Sequence, residues 1–360
     1  MFSEKALKNA QACRFCWMCR HLCPVQHVTG KETNTPRAKG LLVSMMHRGM
    51  PIDPDIAKTM YECLLCGACT HDCATGFDPL VFIRESRTQA LVHGVAPGYV
   101  EQVLNRIAQT GNLYGASQCR VVFDGIPEKA DLMVWLGETA RYSVPETANA
   151  LLSILKKARI PFAVLRNEPS SGGSLGDLIG YVEEVRQQAA KACDAIRAAG
   201  AKTLVVLDSY DAALMRHEYS DWGLECPQVV TAPSFVAGLI KEGRLRPQKK
   251  ALSVCYHDAS RLARDLDETQ PARDILAAMG CEVHEMWQNK RLTKCCGNAV
   301  VGQTLPELHK KIAANRWEDA KRTRAKVLVA ACPQSTEALS AVVPEGYEYQ
   351  DLFVALNDRL

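Results

Sequence analysis

Cys13-Arg14-Phe15-Cys16-Trp17-Met18-Cys19-Arg20-His21-Leu22-Cys23-Pro24 opens the chain, and Cys63-Leu64-Leu65-Cys66-Gly67-Ala68-Cys69-Thr70-His71-Asp72-Cys73 repeats its spacing fifty residues on. Thiolates are soft ligands suited to iron–sulfur cubanes, and three cysteines at successive i+3 steps can wrap three corners of one cluster within a short loop. Structural zinc is the competing reading, but zinc takes its four ligands as two separated pairs and has no use for a third cysteine at the same pitch. Two matched runs in one chain therefore predict two [4Fe-4S] clusters.

The fourth cysteine of each run serves elsewhere. In two-cluster ferredoxins it ligates the other cluster, which assigns Cys13, Cys16, Cys19 and Cys73 to one centre and Cys63, Cys66, Cys69 and Cys23 to its neighbour. Such cross-wiring brings the clusters close enough for rapid electron exchange. The second run departs slightly in its closing turn, where Ala74 stands in the place of Pro24.

Composition narrows the classes. The chain has 360 residues, 47% hydrophobic and 23% charged, enough for two or three domains with a real core. Lys+Arg 43 against Asp+Glu 40 gives a formal +3, too balanced for a nucleic-acid or anionic-membrane partner read from bulk charge. Sixteen cysteines, half of them in the two runs, argue for a reducing compartment, the cytoplasm, rather than a disulfide scaffold. The start Met1-Phe2-Ser3-Glu4-Lys5 lacks an apolar signal core, and the apolar stretches at 204–207 and 327–332 are far too short for a transmembrane segment. Any membrane contact is expected to be peripheral, through a partner or a surface patch.

Along the chain, the insert between the runs contains Thr35-Pro36-Arg37 and a helical stretch from Gly40 to Arg48, which predicts a mainly α-helical ferredoxin-type domain. Bridging helices follow over 79–93 and 99–109, and the turn-rich Thr110-Gly111-Asn112-Leu113-Tyr114-Gly115 marks a domain boundary. Beyond it short apolar strands alternate with helices, twice, which predicts α/β architecture with largely parallel strands. The first copy reads strand 131–136, helix 145–158, strand 162–165, helix 178–199, strand 203–207. The second reads strand 252–256, helix 270–279, strand 282–286, helix 305–322, strand 327–331. The offset is about 125 residues, far longer than a solenoid repeat, and implies an internal duplication. The expected domains are 1–115, 116–248 and 249–360.

In the second copy Cys295-Cys296-Gly297 precedes a helix, Cys332-Pro333-Gln334-Ser335 closes a strand, and Tyr256-His257-Asp258 ends an earlier one. All three fall at loops on one edge of the sheet, where open α/β sheets place ligands.

These motifs resemble the iron–sulfur subunits of glycolate oxidase and anaerobic glycerol-3-phosphate dehydrogenase, and the related subunits of heterodisulfide reductase, over nearly the whole chain. The resemblance implies a C-terminal pair of Rossmann-like Cys-Cys-Gly half-domains, a complete one supplying five cysteines for a non-cubane or other unusual cluster. This chain departs from that pattern. In the first module Ser170-Ser171-Gly172 replaces Cys-Cys-Gly, Asp208-Ser209-Tyr210-Asp211 replaces Cys-Pro-x-Cys, and Glu138 replaces the leading cysteine, so its metal chemistry is lost. In the second module His257-Asp258-Ala259-Ser260 and Ser335 replace two ligand positions, leaving Cys295, Cys296 and Cys332. Cys255 could add a fourth thiolate, giving a candidate third iron–sulfur site of Cys255, Cys295, Cys296 and Cys332. The alternative is a vestigial pocket that docks a partner.

Other residues carry weaker signals. His257-Asp258 fits a metal or proton-relay pair, although a histidine at a strand end is more often structural. Ser170-Ser171-Gly172-Gly173-Ser174 matches no P-loop or dinucleotide fingerprint and reads as a degenerate Cys-Cys-Gly loop. Arg14, Arg20 and His21 in the first run, and Lys290, Arg291 and Lys294 before Cys295, bring positive charge that can stabilise a reduced cluster or steer an acidic partner. Cys119, Cys193, Cys226 and Cys281 show no partner spacing and read as packing residues.

The resemblance implies a non-catalytic electron-transfer subunit working between an FAD-linked dehydrogenase of the glycolate or lactate type, or another flavoprotein, and a further carrier such as a quinone, an electron-transfer flavoprotein or a ferredoxin. No flavin or nicotinamide fingerprint is present, so no catalytic residue is assigned on this chain. A heterodisulfide-reductase-like thiol/disulfide reductase acting at Cys295-Cys296 is the alternative; a redox sensor is a third reading, for which no recognition surface is evident.

Overall fold

The computed structural model describes residues 2–13 and 15–360, so the charge expected at Arg14 lies outside the described residues. The N-terminal part is helical, as the insert predicts. Thr35 accepts a hydrogen bond from the Ala38 N–H and Pro36 occupies the first turn, which starts a helix at Pro36–His47. Asp53-Pro54 and Asp78-Pro79 repeat the device for helices Pro54–Tyr61 and Pro79–Val92. Their apolar faces close on Val43, Met60, Leu65, Phe77, Phe82 and Ile83, a core of their own beside both cysteine loops.

The rest is α/β with two parallel sheets. The first has the order β1 (Leu132–Trp135), β2 (Thr203–Val206), β3 (Gln228–Thr231), with Ala163 bridged to Met133 on the outer side of β1. The second runs β5 (Cys281–Val283), β4 (Leu252–His257), β6 (Val327–Ala330), β7 (Glu348–Asp351). Position by position the two orders are the same. Helix Pro145–Lys157 packs on Leu352–Asn357, and Ala232–Lys241 packs on Pro271–Ala278, so helices of both halves share one core with Val134, Val205, Val254 and Val329.

Three expectations change. The strand read over 282–286 is only Cys281–Val283. The helix read over 178–199 is broken: Gly173–Ile179 ends at Gly180, whose φ of 84° only glycine adopts readily, and Glu183–Ala198 begins anew. The strand read over 162–165 shrinks to the single bridge at Ala163. Strands β3 and β7 were not anticipated; both are edge strands, half exposed and too mixed in polarity for an apolar run to reveal them.

Both sheets turn their carboxyl ends toward each other and toward the helical domain. The loops after β2 and β6 meet there, with the Ser209 hydroxyl 3.1 Å from Cys332 Sγ and the Gln334 amide 3.2 Å from both Asp208 oxygens.

Candidate iron–sulfur centres

The two cysteine loops share one backbone trace. Phe15 and Trp17 flank Cys16 at φ 55° and 67°; Leu65 and Gly67 flank Cys66 at 50° and 73°. Left-handed backbone at a non-glycine residue costs of order 1 kcal/mol, and its recurrence at equivalent positions marks a demand of function rather than of folding. The twist also turns amides onto sulfur. Phe15 N–H donates to Cys13 Sγ at 3.4 Å and Leu65 N–H to Cys63 Sγ at 3.3 Å.

The sulfurs gather around two adjoining cavities. One is lined by Cys13, Cys16, Cys19 and Cys73 together with Trp17 and Arg37, the other by Cys23, Cys63, Cys66 and Cys69 together with Lys39; Cys69 lines both. Each cavity thus takes three cysteines of one run and the last cysteine of the other. Cys73 is held near the first loop through Thr75, whose hydroxyl lies 3.2 Å from Cys73 Sγ and donates to the Ala12 carbonyl. Cys23 sits just before the helix Pro24–Thr29 and packs with Val25 and Leu64.

The donor set suits iron. Burial pushes the Cys19 and Cys23 thiols up to about 11 and raises Cys69 as well, so these groups stay protonated unless a strong cation at the site ionises them, which iron supplies. Among the described residues no group of three or more His, Cys, Asp or Glu side chains is arranged to hold a single ion.

Lys39, which carries no motif in the sequence, belongs to the second cavity. Its side chain is 1% exposed, and Nζ donates to the Asn34 carbonyl at 3.0 Å. Burial pulls its pKa down, opposed by the nearby Cys63 and Cys23 sulfurs. A buried ammonium against thiolates compensates charge that water cannot reach. Its signal in the sequence is position: Thr35-Pro36 starts a helix, and Lys39 stands one turn inside it.

The second loop is clamped from outside. Arg87 donates to the Cys63 carbonyl at 2.6 Å, Asn298 to Leu64 at 2.9 Å, Arg261 to Leu65 at 2.9 Å, and Arg264 to Cys66 at 2.8 and 3.0 Å. Four consecutive carbonyls are therefore each taken by a different side chain, three of which come from the C-terminal half. Arg264 also donates to the Thr293 carbonyl at 2.6 Å, tying this loop to the segment leading into Cys295.

A third cavity lies directly beyond. Cys66, Cys295, Cys296 and Cys332 line it with Ser209, Ser260 and Ser335, so Cys66 faces this cavity as well as the second. The Cys66 thiol hydrogen-bonds Cys295, which raises Cys66 and lowers Cys295. Cys255 does not reach this cavity: it is held inside the β4–β6 ladder opposite Leu328 and takes a hydrogen bond from Thr323, and its burial pushes the thiol up to about 11. Pinned by the ladder, Cys255 stays away from the strand end, so the fourth sulfur lining this cavity is that of Cys66, with Ser260 and Ser335 beside it.

Where the first half lacks cysteines, carboxylates and hydroxyls hold one another. Ser171 Oγ and Trp135 Nε1 donate to Asp211 at 2.6 and 2.9 Å, and the Leu113 N–H and Ser174 hydroxyl donate to Glu138 at 3.0 and 3.3 Å. Burial and the neighbouring Asp211 carboxylate push Asp208 up to about 8; burial pushes Glu168 up to about 7. His257 is structural. Its Nδ1 accepts from Arg316 at 3.1 Å, and burial beside that guanidinium holds it well below the usual histidine range. Asp258 is locked by Arg273 at 2.7 and 2.8 Å. Of the basic residues near the two cysteine-rich loops, Arg20 pairs with Glu32, Arg291 with Asp267 and Lys294 with Asp319.

Paired thiol-lined cavities in a helical domain, set against the carboxyl ends of two parallel sheets, define an iron–sulfur protein built for electron transfer. Residues 9–77 match the 4Fe-4S dicluster domain and residues 254–336 match the Cysteine-rich domain. One of the subunits of the dihydromethanophenazine:CoB–CoM heterodisulfide reductase of Methanosarcina acetivorans is 30% identical over 291 residues, covering 76% of this chain and 70% of that protein. The chain belongs to this family of iron–sulfur, cysteine-rich-domain proteins. A probable membrane-anchored ferredoxin of Chromohalobacter salexigens is 26% identical over 95% of this chain, which spans 58% of that protein's length. An EtfAB:quinone oxidoreductase of Syntrophomonas wolfei is 22% identical over 82% of this chain, which spans 49% of its length. Among the described residues no helix is long and apolar enough to cross a membrane.

Proposed function

We propose that the chain holds two [4Fe-4S] clusters, one on Cys13, Cys16, Cys19 and Cys73 and one on Cys63, Cys66, Cys69 and Cys23, and relays electrons between a flavoprotein dehydrogenase and a further carrier. The observation that carries this is the crossed lining of the two cavities, three sulfurs from one run and the fourth from the other. Bound there, the clusters supply one-electron transfer. The protein's own residues do the rest: the left-handed turns present sulfur and amide together, Lys39 offsets charge at the inner centre, and the carbonyl clamp fixes Cys66 against the third cavity.

The path has a direction. Cys16 is exposed, and Phe15, Trp17 and Met18 around it are 52%, 42% and 53% exposed, so the first centre is the port for the partner. The second centre is inside and abuts Cys295. A partner that is an FAD-linked dehydrogenase, with a quinone, an electron-transfer flavoprotein or a ferredoxin downstream, agrees with relatives whose names place them in heterodisulfide reductase and EtfAB:quinone oxidoreductase. The shared strand order supports two Rossmann-like half-domains, at 116–248 and 249–360, duplicated and set behind a ferredoxin-like domain of 1–115.

Anaerobic iron and sulfide analysis with electron paramagnetic resonance tests the proposal. About eight irons fit two cubanes, about twelve place a further cluster in the third cavity, and colourless or zinc-bearing protein refutes the assignment. A second reading, thiol or disulfide reduction at Cys295-Cys296, draws on the contact between Cys66 and Cys295. Replacing both Cys295 and Cys296 by serine decides: undiminished electron transfer between donor and acceptor removes that pocket from catalysis.

A further inference from the structure

Cys193 and Cys226, far apart in sequence and without motif, meet in the first half of the α/β region with their sulfurs 3.7 Å apart, in hydrogen-bond contact with each other. Cys193 lies on the helix Glu183–Ala198 and is 2% exposed, packed with Ala189, Ile196 and Tyr219. Cys226 is half-buried, on the loop that enters β3. Its place is fixed by its neighbours: Pro227 restricts the preceding residue to extended backbone, and Gly223, at φ 73°, turns the chain out of the helix Ser209–Asp221. The two sulfurs stand at van der Waals separation, and a disulfide requires them to close to about 2 Å.

We propose that Cys193 and Cys226 form a reversible disulfide, a redox modification site separate from the iron–sulfur centres, made by exchange with low-molecular-weight disulfides. The half-exposed Cys226 is the sulfur such a reagent reaches. Cys226 Sγ attacks one sulfur of the small disulfide as its proton passes to the Cys193 thiolate hydrogen-bonded to it, the S–S bond of the reagent breaks, and one small thiolate leaves. Cys193 gives that proton to the departing small thiolate and attacks Cys226 Sγ in the mixed disulfide, and the second small thiol leaves. In sum, two protein thiols and one small disulfide give one protein disulfide and two small thiols, with both protons accounted for on the products. The Cys226 thiol donates its hydrogen bond to Cys193, which holds Cys193 below the ordinary thiol range and Cys226 above it, so Cys193 is the base that takes the Cys226 proton during attack. The product would join the outer helix of the first sheet to the entry of its edge strand, β3.

The test uses anaerobically prepared, cluster-loaded protein incubated with glutathione disulfide, quenched with N-ethylmaleimide, digested and mapped by mass spectrometry. The expected result is a single cross-linked peptide pair containing Cys193 and Cys226, lighter by two hydrogens, lost on treatment with dithiothreitol, while the paramagnetic resonance of the clusters is unchanged. In Cys193→Ser the remaining Cys226 should carry glutathione. Full alkylation of both cysteines, or linkage of either to another cysteine, overturns the proposal. The wild-type map alone decides, so a variant that folds poorly leaves the answer intact, and loss of the cluster signal in the untreated protein would count against the electron-transfer assignment without touching this one.

Discussion

Replacing Arg264 by leucine should uncouple the second cysteine loop from the C-terminal half. The guanidinium is buried and donates to the Cys66 carbonyl through two nitrogens and to the Thr293 carbonyl at 2.6 Å. Leucine fills the space but leaves both carbonyls without a donor where water is excluded. A hydrogen bond to a charged group contributes about 1.5–3 kcal/mol, so leaving two carbonyls without their donor costs roughly 3–6 kcal/mol. The assay is the thermal midpoint of the anaerobic, cluster-loaded protein, which should fall by roughly 5 °C or more. Paramagnetic resonance should change for the centre on Cys63, Cys66, Cys69 and Cys23 and stay as it was for the other. Lysine at this position keeps the charge but not the fork, and should recover only part of the loss. A midpoint within about one degree of wild type, with both spectra unaltered, would refute the clamp as the element that fixes Cys66.

Crossed ligation predicts that Cys73→Ser removes the outer centre and Cys23→Ser the inner one, each variant retaining about four irons, with the surviving spectrum assigned against Cys16→Ser and Cys66→Ser. Asp208, raised to about 8 by burial, binds a proton more tightly folded than unfolded. Its stabilisation is complete below the ordinary carboxylate range and lost as pH rises through about 8. Stability should therefore decline by about 1.4 kcal/mol per pH unit for each such proton between about pH 4 and 8, and Asp208→Asn, which keeps the acceptor for Gln334, should flatten that slope in denaturant titrations. Trp17→Ala should slow reduction by the protein partner about tenfold, the scale of one interface anchor, while reduction by methyl viologen radical stays unchanged. Equal slowing by both donors would mean that the substitution damaged the centre and not the docking face.

The gathering of the cysteines around two cavities could be read from spacing because the sulfurs of each run lie close in sequence. Cys13 to Cys19 and Cys63 to Cys69 each sit in one loop, and Cys23 and Cys73 each line the cavity of the other run, as the repeat suggests. The helix starts at Pro36, Pro54 and Pro79 were similarly exposed by proline after a capping residue. What escaped depends on packing between distant segments. Cys255 looked available from its distance to Ser260, but the ladder with β6 pins it beside Leu328. Cys66 was counted once, as a ligand of the second cluster, whereas docking of the helical domain also brings it to Cys295. Lys39 has only its place in a helix to mark it, and its burial becomes visible when Asn34 and the second loop close over it. Cys193 and Cys226 meet because a helix and an edge strand pack on the same sheet, and β3 itself was too short and mixed to be seen.

The unequal depth of the two thiol-lined cavities has a bearing on how this molecule would age in air. Dioxygen and peroxide arrive from solvent, and Cys16 offers them its sulfur at the surface, whereas the Lys39 side is enclosed by protein. Oxidative loss would accordingly begin at the entrance, leaving a protein still brown from its inner centre yet deaf to its partner, so colour alone would be a poor gauge of whether a preparation can still conduct.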